Sequence, residues 1–186
     1  MLKYFEEAGK YVEITGFRSV DVEDAEAFVK AAREELPESV WVQFFDAGLV
    51  ATWQHLYFAI LNALLAFKNK RNISKSVAME TMLYASAQRQ IRKALDFMGV
   101  KCAVADVAVV VVGERAESVE ALVAAVSKRV DKEPDDAVLG VSQEKAERIR
   151  EAFGITDVEI EAVLEKNDEA LVDLVVERVA LLSTQL

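Results

Sequence analysis

The stretch NISKSVAMETMLYASAQRQIRKALDFMGVK, from Asn72 to Lys101, restricts the fold of this chain more than any other. Asn72 and Ser74 are candidate N-caps, because a short polar side chain can accept an N–H that the first helical turn leaves unpaired. Behind them Val77/Met82, Leu83/Tyr84 and Ile91/Leu95 lie near the three-and-four spacing of a buried helical stripe. Two helices, or one bent helix, should cover Ser74 to Phe97. Gly99 predicts a helix stop in the left-handed conformation, which glycine adopts cheaply. The apolar run Val107 to Val112 that follows reads as a buried strand. Helix, glycine stop and strand form a hub on which the other segments must pack.

In chain order, Tyr11 to Phe17 alternates as a half-buried strand does. Val22 to Leu36 has the periodicity of an amphipathic helix, capped by Asp21 and stopped by Pro37. Val40 to Phe45 is rich in aromatic and β-branched residues and predicts a second strand. Thr52 to Phe67 is helical and apolar almost all round, so it is either central or covered by another chain. After the strand at Val107 come a helix from Ser118 to Val130 and a polar surface loop from Asp131 to Asp136. A charged amphipathic helix then runs from Ser142 to Phe153 and ends at Gly154. Thr156 and Glu159 form a TxxE capping box that opens a short helix, and a last helix spans Asp168 to Leu182. The expected fold is α/β: a single domain over residues 1–186, with a small mixed sheet packed by several helices. Residues 137–186 are a candidate helical sub-region, with its boundary in the loop near Pro134.

The chain has 186 residues and 53% hydrophobic composition, enough for a core. Its apolar helical runs are too short to cross a bilayer, and its start lacks the apolar core of a signal peptide, so a cytoplasmic protein is expected. Cys102 and His55 are the sole cysteine and the sole histidine. That excludes a disulfide framework and a Cys/His zinc site within one chain. Cys102 is expected as a small buried hydrophobe, and His55 as a core or partner-contact residue. Phosphate-cradling glycine loops, HExxH and GxSxG are absent from the sequence. Glu80 is expected to pair with Lys75, Arg89 or a backbone end. No catalytic residue, cofactor or metal is assigned, and on residues alone the chain reads as a non-enzymatic binding domain.

Charge is distributed unevenly. Residues 1–67 carry 5 basic against 11 acidic side chains, and residues 102–186 carry 9 against 19. Residues 68–101 reverse this, with 8 basic against 2 acidic, inside a chain of net charge −10. A basic island in an acidic protein can hold phosphates through local Coulomb attraction and counterion release.

The run VWVQFFDAGLVATWQHLYFAILNALLAF, then KNKRNIS, then METMLYASAQRQIRKALDFMGVK and its strand, resembles the kinase-binding subunit of the KEOPS complex, the PRPK-binding protein family, in its archaeal form. The matching elements are Gln43, the His55 helix, Asn72-Ile73-Ser74, Glu80, Leu83-Tyr84, Gln90-Ile91, Ala94 and Gly99. The resemblance covers Val40 to Val112 well and the C-terminus loosely, while the N-terminal third carries little of it. It implies a non-catalytic regulatory subunit that docks on a small atypical kinase acting as an ATPase. Its archaeal members grip the 3′ CCA end of tRNA during threonylcarbamoyladenosine modification.

Two surfaces follow as expectations. RNA should meet the basic island: Lys68, Lys70, Arg71, Lys75, Arg89, Arg92 and Lys93. Lys70 and Arg71 precede a helix N-terminus, where unpaired N–H groups would also favour phosphate. The last helix has more apolar residues than one stripe needs, so Val172, Val176, Val179 and Leu182, rimmed by Arg178, are the candidate kinase surface. Two rival readings are an enzyme with a site near His55, Glu80 and Arg89, and a purely structural protein-interaction domain without RNA contact.

Overall fold

The computed structural model describes residues 2–24, 27–30, 39–164 and 169–185. A four-stranded sheet has the order β1 (Leu2–Phe5), β2 (Lys10–Val22), β4 (Ala103–Gly113), β3 (Val40–Asp46). The fold is α/β as expected, but the sheet is antiparallel in all three pairings rather than mixed. β4 lies between β2 and β3, so those two run parallel to each other without pairing. The register Val12↔Val112↔Trp41, Ile14↔Val110↔Gln43 and Gly16↔Ala108↔Phe45 puts one set of side chains on one face. Val107, Val109 and Val111 point to the other with Phe17, Val42 and Phe44.

Both faces are covered, which is why Val107 to Val112 shows no polar alternation. The first face packs on α1 (Trp53–Lys68), α2 (Val77–Ala85), α3 (Ile91–Met98) and the end of α7 (Ala170–Leu182). The second packs on α4 (Ala116–Val130) through Val119, Leu122 and Val126. It also meets residues 27–30, where the Phe28 ring lies 5.0 Å from Phe44. α5 (Gln143–Phe153) and α6 (Asp157–Leu164) form a smaller cluster with α7, in which Ile149, Ile155, Leu174 and Val175 surround Ala51.

β2 is longer than its alternation predicts. Val20 and Val22 pair with Ala105 and Ala103 after a bulge at Arg18-Ser19, so Val22 is strand, not helix. Residues 27–30 of the expected Val22–Leu36 helix are helical; residues 25, 26 and 31–38 lie outside the described ones, as does Asp168 of the last helix. β1, an additional strand not expected from the sequence, pairs with the first part of β2. Further along, the polar loop before residue 136 turns back onto β2, where Asp135 N–H donates to Gly16 O at 2.8 Å and Arg18 pairs with Asp135 at 2.9 Å. That loop covers strand edge that would otherwise be open to another chain.

Three local expectations need correction. Gly99 is extended (φ −66, ψ 149), not left-handed. It is required by close approach, because a Cβ there would lie 2.5 Å from Leu95 O. Ile91 and Leu95 are exposed, and α3 buries Ala94 and Met98 instead. Cys102 is exposed, just before β4 enters the sheet. By contrast Gly154 is left-handed (φ 62) and ends α5, and the Thr156/Glu159 box forms, with Thr156 N–H donating to Glu159 Oε2 at 2.8 Å.

A candidate basic cleft between α1, α2 and α3

The basic island is built around two helix ends and one clasped loop. α1 ends with Lys70 N–H donating to Phe67 O at 3.1 Å and Arg71 N–H to Ala66 O at 2.8 Å. This is the Schellman pattern, and it places Lys70 at φ 55, where glycine is usual. α2 ends in the same way: Ala87 N–H reaches Tyr84 O and Gln88 N–H reaches Leu83 O, each at 3.0 Å, with Ala87 at φ 51. A Cβ in this conformation is unfavourable. Ala87→Gly is therefore expected to stabilise the protein by about 0.5–1 kcal/mol, after allowing for the added freedom of the unfolded chain. Thermal unfolding would read this as a midpoint raised by about 1–4 °C.

Between α1 and α2 the chain folds over Glu80. This carboxylate is fully buried and accepts Ile73 N–H at 3.0 Å and Ser74 N–H at 2.7 Å. Asn72 Nδ2 donates to Ser74 O at 2.9 Å, and Ser74 Oγ donates to Ser76 O at 2.8 Å. The N-cap of α2 is Ser76, whose Oγ accepts Met79 N–H, rather than Asn72 or Ser74. Glu80 thus takes a backbone end, one of the three partners the sequence allowed it. The same bonds alter the expected phosphate site: the Ile73 and Ser74 N–H groups are occupied by Glu80 and cannot serve an anion. Burial and the nearby Glu80 charge push the Tyr84 hydroxyl above its ordinary pKa.

Arg71, Asn72 and Ile73 face Arg89 and Ser183 across an open cleft of about 700 Å³. Arg89 leads into α3, whose N-cap Gln90 makes no side-chain cap bond. Lys68, Lys75, Arg92 and Lys93 are exposed on the same segment but do not line the cleft. Lys68 Nζ donates to Glu7 O at 3.0 Å, and Arg92 lies 4.0 Å from Asp96 on its own helix. Asn72, Ile73 and Ser183 were not among the site residues expected from sequence. The first two carry a signal, a polar and an apolar residue next to Arg71, which is equally the signal of a helix start. Nothing local marks Ser183, which arrives by tertiary packing.

On α7, Val179 and Leu182 are buried in the main core beside α1. The accessible remainder of that face is Val172 and Val176, both half-buried. Arg178 pairs with Glu159 of α6. Thr156 N–H and Arg178 hold the Glu159 carboxyl down to about 2.

The residues of the enzyme alternative are not gathered. His55 is fully buried; its Nδ1 accepts Ala51 N–H at 3.2 Å, and its Nε2 lies 2.8 Å from Ala85 O, to which it must donate. Burial lowers its pKa to about 4, so the ring is neutral and both nitrogens are used. Glu80 is likewise closed inside on backbone groups, while Arg89 is at the surface. A second cleft of about 240 Å³, which sequence gave no hint of, is lined by Asp46, Asp106, Lys145 and Arg148. Lys145, lowered to about 8 mainly by burial, donates there to Val138 O and Gly140 O, and Arg148 pairs with Asp46, so its polar groups tie α5 to the sheet. Among the described residues no group of His, Cys, Asp and Glu could hold a metal ion, and no helix is long and apolar enough to cross a membrane.

The family model described as kinase binding protein CGI-121 matches residues 19–183. The regulatory protein Cgi121 of Methanocaldococcus jannaschii is 35% identical over 127 residues, which cover 67% of this chain and 79% of that protein.

Proposed function

The chain belongs to the kinase binding protein CGI-121 family, and from that premise we propose that it is a non-catalytic regulatory subunit of a KEOPS complex. In this reading it docks on the small atypical kinase/ATPase of that complex in the cytoplasm. It also helps bring tRNA, by its 3′ CCA end, to threonylcarbamoyladenosine modification. The observation that carries the RNA part is the cleft that joins Arg71 to Arg89 in a chain of net charge −10. Guanidinium groups can pair with phosphate oxygens bidentately or stack on bases, and Ile73 offers an apolar edge beside them. Lys68, Lys70, Lys75, Arg92 and Lys93 surround the cleft in sequence and would add long-range attraction.

For the kinase, the proposed surface is the accessible part of α7 at Val172 and Val176, with Arg178 at its rim. Half-buried valines beside a charged helix flank suit the apolar centre and polar rim of a protein interface. The internal bonding of His55 and Glu80 supports a binding role over an enzymatic one.

The test is binding of this protein to a tRNA transcript with and without its CCA end, at low and moderate salt. Binding that weakens with salt and needs the CCA end supports the reading. Equal binding of both transcripts would remove the CCA assignment. No binding of either would leave a protein-interaction domain whose partner is the kinase. In the parallel kinase experiment Val176→Glu should abolish co-purification with the cognate kinase while leaving the thermal midpoint within a few degrees of wild type. Retained co-purification would exclude this part of α7.

A further inference from the structure

The wall of the cleft that carries Arg71 is a loop with neither helix nor strand of its own, yet four of its backbone N–H groups are tied down. Lys70 and Arg71 N–H return to α1, and Ile73 and Ser74 N–H enter Glu80. Ile73 N–H is shared between the two carboxylate oxygens, at 3.0 and 3.1 Å. Glu80 lies on α2 among Ala78, Thr81, Met82, Leu83 and Tyr84, all buried. An apolar side chain would fill such a place more simply, since a buried carboxylate is tolerated only when hydrogen bonds replace its water. Here the replacing donors are Ile73 and Ser74, next in the chain to Arg71 and Asn72, and Ile73 and Asn72 themselves line the cleft.

From this geometry we propose that Glu80 is the positioning residue of the RNA surface: a buried carboxylate that never touches RNA but holds the Asn72–Ser74 backbone so that Arg71 and Asn72 stand opposite Arg89. The proposal rests on the tRNA reading above. With the Ile73 and Ser74 N–H groups occupied, the loop meets the cleft through Arg71 and Asn72, so the placement of these side chains sets the affinity. Freeing the loop disperses Arg71 and Asn72 over many orientations, and ordering them again opposes binding. Salt dependence reports the same event, because a cation that is no longer held at a phosphate stops releasing counterions.

The experiment compares wild type with Glu80→Gln, which keeps the size of the side chain but replaces one acceptor oxygen with a donor NH2. Binding of the tRNA transcript is measured at several salt concentrations, well below each protein's thermal midpoint. Amide exchange at Ile73 and Ser74 is read on the same samples. The expected result is faster exchange at those amides, affinity lower by about tenfold, and a salt slope reduced by about one. A merely structural Glu80 would lower the thermal midpoint without changing the slope. Faster exchange with unchanged affinity and slope overturns the proposal. Should Glu80→Gln not fold, Ser74→Ala loosens the same loop from the buried side by removing the bond to Ser76 O, and is read by the same two outcomes. Failure of the wild-type protein to bind tRNA would instead defeat the tRNA reading, whatever the variants do.

Discussion

Replacing Arg71 and Arg89 together by glutamate is expected to weaken tRNA binding by about a hundredfold at moderate salt. Each arginine withdrawn from a phosphate removes one counterion-release contribution, and each glutamate adds repulsion at the same spot. The slope of affinity against salt should therefore fall by about two in logarithmic terms. Both residues are exposed, so the two substitutions together should change the stability of the fold by no more than about 1 kcal/mol. The same pair of substitutions should leave kinase co-purification intact, because the proposed kinase surface at Val172 and Val176 lies elsewhere. Unchanged affinity and slope would show that RNA, if bound, is held away from this cleft.

The second large effect concerns stability and pH. His55 is neutral in the fold, with its pKa lowered from 6.5 to about 4 by burial. Above pH 6.5 the ring is neutral in both the folded and unfolded chain, and its contribution is fully present. As pH falls from 6.5 towards 4 the unfolded chain takes up a proton that the fold refuses, so stability falls with pH through that window. Between pH 7 and pH 5 the loss should be about 2 kcal/mol. Denaturant titrations at the two pH values measure it, and a His55→Gln chain should lose most of the difference, since it has no other histidine. A wild-type protein equally stable at both would mean that the ring is protonated or exposed. Glu159, held down to about 2, contributes in a separate window: its stabilisation is present above the ordinary carboxylate range and is lost only at lower pH.

The last helix and the hub show what local pattern does and does not convey. Val107 to Val112 announced a buried strand because a strand covered on both faces has no polar alternation to lose. Gly154 and the Thr156/Glu159 box were legible because caps are chemistry between residues a few positions apart. Ile91 and Leu95 have the spacing of a buried pair, but spacing assigns residues to one face of a helix without saying which face meets the core. For α7 the surplus of apolar residues was visible. That Val179 and Leu182 belong to the core, leaving Val172 and Val176 nearer the surface, depended on where α1 lies. Cys102 is exposed for the same reason, since burial is a property of neighbours and not of residue type.

The sequence by itself determined the α/β class, the order of most helices and strands, and the concentration of positive charge between residues 68 and 101. These are carried by periodicity, capping and composition, which act over a few residues. Only the tertiary structure decided that Arg71 and Arg89 share a cleft with Ser183, that β4 separates β2 from β3, and that Glu80 closes on Ile73 and Ser74. The strand order is set by pairing between strands distant in sequence, and the other two by the packing of helices on one sheet, where desolvation obliges a buried carboxylate to find donors wherever the chain brings them.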